Sequence, residues 1–142
     1  MEKKNTKQAI MDAALSLFSK KGYNAVSVEE IAKEVGIKAP SLYKHYKNKR
    51  AVFDAIFDEM ERRYNKQTES MQMHFGDATK DKGMFAKISE DKLVEKVREL
   101  VQYSLQDEYV SKFRKMLTIE QFRSKELGQL YTKRYVECLV NY

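Results

Sequence analysis

Between residues 41 and 49 the chain reads Ser-Leu-Tyr-Lys-His-Tyr-Lys-Asn-Lys, a run of hydroxyl, phenol, imidazole and ammonium groups with a single aliphatic side chain, Leu42. Such groups donate hydrogen bonds to phosphate oxygens and to base edges, which is the chemistry of nucleic-acid recognition. Bond-making chemistry would need a nucleophile with its base, a metal-ligating cluster or a phosphate-cradling glycine loop, and none is visible. No enzyme is expected, with no catalytic or metal residues and no cofactor.

The charge distribution supports a polyanionic partner. The formal net charge is +6. Residues 1–50 carry 11 Lys/Arg against 5 Asp/Glu, whereas residues 51–142 carry 16 of each. The whole excess lies in the segment that holds the polar run. A localised basic excess attracts nucleic acid and speeds encounter with it, although a solvated basic surface would show the same count.

Two helices and a tight turn must hold these groups. Ser27 and Glu30 form an S-x-x-E capping box with Val26 and Ile31 as its hydrophobic staple, so a helix starts there and buries Val28, Ile31, Ala32 and Val35. Gly36 ends it where a left-handed residue is needed. Pro40 suits the first turn of a following short helix that runs to about Tyr46. At about 100° per residue, Ala39, Leu42 and Tyr46 share a core face within about 60°. Pro40, Ser41, Lys44 and Lys47 lie opposite, and Tyr43 and His45 occupy the flanks, where their polar tips reach phosphates bordering a groove. Two helices joined by about three residues in this way make a helix-turn-helix, whose second helix enters the major groove.

Asn48 caps the next helix, and Lys49 and Arg50 put two cations in its first turn, where the helix dipole disfavours them by about 0.3–1 kcal/mol each. Exposed N–H groups beside Lys49 make a phosphate site. Solvated cations are the plain alternative.

The string Leu42-Tyr43-Lys44-His45-Tyr46-Lys47-Asn48-Lys49, preceded by Ile31-Ala32 and Gly36 and followed by Val52-Phe53, resembles the N-terminal DNA-binding domain of TetR-type transcriptional regulators over roughly residues 6–57. The resemblance implies phosphate contact at Ser27, which is first of all a helix cap. It implies base reading from Lys38, Ala39, Pro40, Ser41 and Lys44, backbone contacts from Tyr43 and His45, and a phosphate anchor at Lys49. Many relatives carry Ser or Thr where this chain has Lys38, so a capping hydroxyl is exchanged for a cation. Outside the motif, Tyr43 reads as a core-edge residue and His45 as a surface histidine.

An all-α fold is expected, since 142 residues contain one proline and five glycines. The expected organisation is a three-helix head over 1–50, with helix four from about 49 leading into a helical effector-binding and dimerisation body over 51–142. A first helix begins after Asn5, with Gln8 as its capping-box partner, and buries Ile10, Ala13, Ala14, Leu17 and Phe18 before Gly22. Helix four carries Val52, Phe53, Ile56, Phe57, Met60 and Tyr64 and fades around 65–70. Residues 71–88 read as a loop or broken helix. A helix after Ser89 has Leu93, Val97, Leu100, Val101 and Ser104 inward, another covers about 107–122, and a last one follows Ser124.

Residues 51–142 hold 12 of the 16 aromatics, which make a core or line an effector pocket; Phe57, Met60, Tyr103, Phe113, Met116 and Phe122 are the pocket candidates. Cys138 is the only cysteine, so no intrachain disulfide forms. It reads as a small buried residue ahead of a redox sensor. No stretch approaches the ~18 apolar residues of a membrane span, and a cytoplasmic protein is expected. The apolar pattern continues to Tyr142, so a C-terminally truncated body is expected. The implied function is a ligand-responsive repressor that binds a palindromic double-stranded operator as a homodimer and answers to a small-molecule effector. The competing reading is a helical adaptor that uses the turn for protein contacts.

Overall fold

The computed structural model describes residues 5–72 and 78–133. Among them eight helices follow one another: α1 Thr6–Lys21, α2 Val28–Val35, α3 Ala39–Tyr43, α4 Lys49–Ser70, α5 Ala78–Phe85, α6 Glu90–Gln106, α7 Glu108–Glu120 and α8 Lys125–Thr132. The fold is all-α, with a three-helix head followed by a helical body.

Local chemistry sets most helix starts. Asn5, Ser27, Asn48, Ser89 and Asp107 each accept the backbone N–H three residues on with their side chains, satisfying one of the donors that a helix start leaves unpaired. The two expected capping boxes close on the cap side alone. Gln8 donates to Asp12 at 2.9 Å instead of turning back, and Glu30 is drawn off to Lys21.

Helix α1 is the central element and packs against α2, α4 and α7. It buries Ile10, Met11, Ala14, Leu15 and Phe18, with Ala13 and Leu17 only partly covered. The apolar arc is therefore turned toward Met11 and Leu15, because α7 lies against the side that the head alone would leave open. Val52, Phe53, Ile56 and Met60 from α4 and Val110, Phe113, Met116 and Leu117 from α7 complete one hydrophobic cluster shared by head and body. A fully buried side chain of this size contributes about 1.5–3 kcal/mol.

Helix α6 departs from expectation. Its apolar residues recur at helical spacing, yet none is buried, and Val97 and Val101 stay about half exposed together with Val94 and Leu105. Of the expected inward set only Leu93, Leu100 and Ser104 are partly covered, and Lys96 and Tyr103 are partly covered beside them. Periodicity reports which face a helix would bury, and α6 packs on α7 with another part of its circumference.

Within 71–88, read as a loop or broken helix, the described residues hold the short α5. His74, Cys138 and the apolar residues Val136, Leu139 and Val140 lie outside the described residues, as do the side chains of Leu130 and Tyr131. Among the described residues no helix is long and apolar enough to cross a membrane.

Candidate nucleic-acid interface

The turn between α2 and α3 is built on Gly36, whose φ of 84° and ψ of 27° are left-handed. Its N–H reaches the Ala32 and Lys33 carbonyls at 3.0 and 3.1 Å, and the Ile37 N–H bonds Ala32 at 2.9 Å, which ends α2 in a compact reverse. A Cβ at Gly36 would meet nothing within 4 Å. Glycine is required there for its dihedral angles alone, and close helix approach, the reason its small size suggests, plays no part.

Helix α3 is a single short turn. Lys38 sits at its N-cap with no side-chain cap bond. After Tyr43 the backbone tapers through His45 N–H to Leu42 (2.9 Å) and Tyr46 N–H to Leu42 (3.1 Å). Leu42 and Tyr46 are buried, and the Tyr46 hydroxyl donates to the Lys7 carbonyl at 3.1 Å, pinning the stretch after α3 to α1. Burial pushes the Tyr46 phenol upward, with Asp12 adding to it, so it stays a neutral donor.

The other face of this segment is open. Lys38, Pro40, Tyr43, Lys44, His45 and Lys47 are exposed, while Ala39 and Ser41 are half-buried. Tyr43 is the one large aromatic left nearly half exposed in the head, at 48%. Ser27 is exposed as well, its hydroxyl holding the Glu30 N–H at 3.1 Å at the start of α2.

Lys49 is placed differently from its sequence reading. Its ammonium is turned inward, donating to the carbonyls of Tyr23 (2.9 Å) and Val26 (3.0 Å) and lying 4.1 Å from the Tyr23 ring centroid. The dipole cost of a cation at a helix start is thus offset by two carbonyls and a π-face. Arg50 reaches along the helix to Asp54 at 2.9 Å. Sequence reasoning missed Tyr23 and Glu120 as partners of this corner, since no local spacing links residues so far apart.

The pocket candidates fall mainly in the core. Phe113, Met116 and Met60 are buried, Phe57 and Tyr103 pack against them, and the rings of Phe57 and Phe113 meet edge-on at 5.0 Å. Phe122 is 84% exposed and lines no interior space, because α7 ends at Glu120 and carries its ring past the packed face. A cleft bounded by α1, α4 and α7 is lined instead by Asp12, Leu15, Arg63, Tyr109 and Lys112.

Residues 10–56 match the family model of bacterial regulatory proteins, tetR family. The biofilm operon icaADBC HTH-type negative transcriptional regulator IcaR of Staphylococcus epidermidis is 47% identical over 47 residues, 33% of this chain and 25% of that protein. Its counterpart in Staphylococcus aureus strain Newman is 44% identical over 48 residues, 34% of this chain and 26% of that protein. The matched stretch thus spans about a quarter of the length of these curated relatives. Among solved structures, a TetR-family transcriptional regulator from Mesorhizobium loti has a TM-score of 0.62 at 22% identity and covers 96% of this chain and 63% of its own. Salmonella enterica GusR has a TM-score of 0.61 at 20% identity and covers 95% and 62%. At these identities the structural likeness concerns the fold.

Proposed function

We propose that this chain is a DNA-binding transcriptional repressor, from the premise that its residues 10–56 belong to the TetR family. The observation that carries the reading is the solvent-facing set of Lys38, Pro40, Tyr43, Lys44, His45 and Lys47 on a short helix whose opposite side, Leu42 and Tyr46, is locked into the core. A helix so held can enter a major groove as a rigid body, with Lys38, Ala39, Pro40, Ser41 and Lys44 toward base edges and Tyr43 and His45 toward the flanking phosphates. Ser27 and the N–H groups at the starts of α2 and α4 supply further phosphate contacts in this reading. Lys49 acts there chiefly by bracing the start of α4 against the α1–α2 turn.

The regulator works as a homodimer on a palindromic operator, since paired heads about 34–36 Å apart meet successive major grooves. A small-molecule effector acts through the body, where opening the Phe57–Phe113 contact would shift α4 and change the head spacing. Selection of binding sites from random duplex DNA tests the proposal. A palindromic consensus supports it; recovery of no sequence above background rejects it.

A further inference from the structure

We infer that Glu120, at the C-terminal end of α7, is a positioning residue that fixes the DNA-binding head to the body. The inference rests on the reading of the head as a DNA-binding unit. The Glu120 carboxylate is buried, 4% exposed, and accepts the Tyr23 backbone N–H at 2.8 Å across 97 residues of chain. The carbonyl of the same Tyr23 accepts from Lys49, which also holds Val26. A short path of hydrogen bonds therefore runs from the end of α7, through the α1–α2 turn, to the first residue of α4.

Two further features make this corner specific. Gly22 has a φ of 83°, and a Cβ on it would lie 2.6 Å from Arg123 Nη1, 3.0 Å from Ile119 Cγ2 and 3.1 Å from Glu120 Oε1. The turn approaches the end of α7 so closely that a Cβ there would have to displace the tip of Arg123 and press on Ile119 and Glu120. The rings of Phe18, Tyr23 and Phe53 pack around the same turn at centroid distances of 4.9–5.7 Å.

A carboxylate taken out of water is retained at a cost, and a leucine of similar volume would pack there without it. Its use here is registry: two acceptor oxygens and one amide hydrogen define where the turn sits on α7. Because Lys49 is bound to that turn and begins the helix following the recognition segment, a displacement of α7 is delivered to the placement of α3. Arg123, at 3.9 Å from Glu120, neutralises the carboxylate from the outer side.

The test compares Glu120→Leu with Glu120→Gln in the 142-residue chain. Hydrogen exchange is followed at residues 23–27, and affinity is measured for a duplex obtained by selection against the wild type. In the Leu variant, exchange at Tyr23 and its neighbours should accelerate at least tenfold and DNA affinity should fall at least tenfold, with helix content retained. Glu120→Gln keeps an acceptor and should lie within threefold of wild type on both. Unchanged exchange and unchanged affinity in a folded Glu120→Leu chain overturn the inference. If that variant does not fold, Glu120→Ala, alone and combined with Lys49→Met, decides: a path shared by the two residues gives a combined affinity loss smaller than the product of the single losses, and independent sites give that product. Should the wild type bind no DNA, the functional reading fails, while exchange at residues 23–27 still decides whether Glu120 holds the turn.

Discussion

The Lys49 ammonium donates to the Tyr23 carbonyl at 2.9 Å and lies 4.1 Å from the centroid of that residue's ring. One side chain thus clamps another by both its backbone and its π-face. Hydrogen bonds to charged groups contribute about 1.5–3 kcal/mol and a cation–π contact about 0.5–2 kcal/mol. Lys49→Met should therefore lower stability by roughly 1–3 kcal/mol, whereas Lys47→Ala, with an exposed side chain, should stay within about 0.5 kcal/mol. Urea denaturation of the DNA-free chain separates them; an unchanged midpoint for Lys49→Met would make it a pure phosphate anchor.

Base reading and phosphate anchoring should divide within the recognition segment. Ser41→Ala and Lys44→Ala should each change discrimination between selected and scrambled duplexes by about 1–3 kcal/mol. Tyr43→Phe and His45→Ala should weaken both duplexes by similar factors. Fluorescence anisotropy over a range of salt concentrations checks this, and equal losses from all four variants on both duplexes would remove the distinction.

The two left-handed glycines should respond differently to substitution. Gly36 is in the αL region, at 84° and 27°, with open space around it, so Gly36→Asn should cost less than about 1 kcal/mol. Gly22 has φ 83° and ψ 164°, a region that is essentially glycine's alone, and faces Glu120 and Ile119. Gly22→Ala should cost about 2 kcal/mol or more. Thermal unfolding of both variants would show the order.

Acid should loosen the α4–α7 contact. Glu59 is hydrogen-bonded by Arg62 at 2.8 Å and by Arg63 at 2.8 Å, which together hold its carboxyl down to about 2 despite the opposing effect of burial. A carboxylate with a depressed folded pKa contributes stability above its unfolded value, near 4.5, and loses it as pH falls from there toward 2. Because Arg62 is well exposed to solvent, the contribution is about 1–2 kcal/mol rather than the full linkage value. Glu59→Gln should thus be less stable at neutral pH and flatter in its acid unfolding between pH 5 and 2. Arg63, whose guanidinium lies 4.1 Å from the Tyr109 ring centroid, carries the effect to α7.

Short-range chemistry is readable from the chain alone. Asn5, Ser27, Asn48 and Ser89 cap helices because each needs only the N–H three residues on, and Gly36 marks its turn by a dihedral requirement. The outward set around Lys44 follows from helical geometry once Leu42 and Tyr46 are taken as core. Lys49 is the instructive exception. As a residue type at a helix start it suggests a waiting phosphate, yet carbonyls 23 and 26 residues back occupy it, and nothing local announces them. Glu120 is hidden for the same reason, as one acid among many on amphipathic helices. At α6 the periodic pattern is real but names no partner, and at Phe122 it runs on past the point where α7 stops.

The ring ladder from Phe18 and Tyr23 through Phe53 and Phe57 to Phe113 has a practical consequence for protein engineering. A chimaera that exchanges the first fifty residues for those of a related protein would cut through this ladder and leave Glu120 facing a foreign α1–α2 turn. Grafts that carry α1 to α4 together with the α7 end bearing Phe113 and Glu120 should express as soluble hybrids where shorter ones aggregate. On the proposed function, a new operator specificity is better sought by rewriting the outer face of α3 in place.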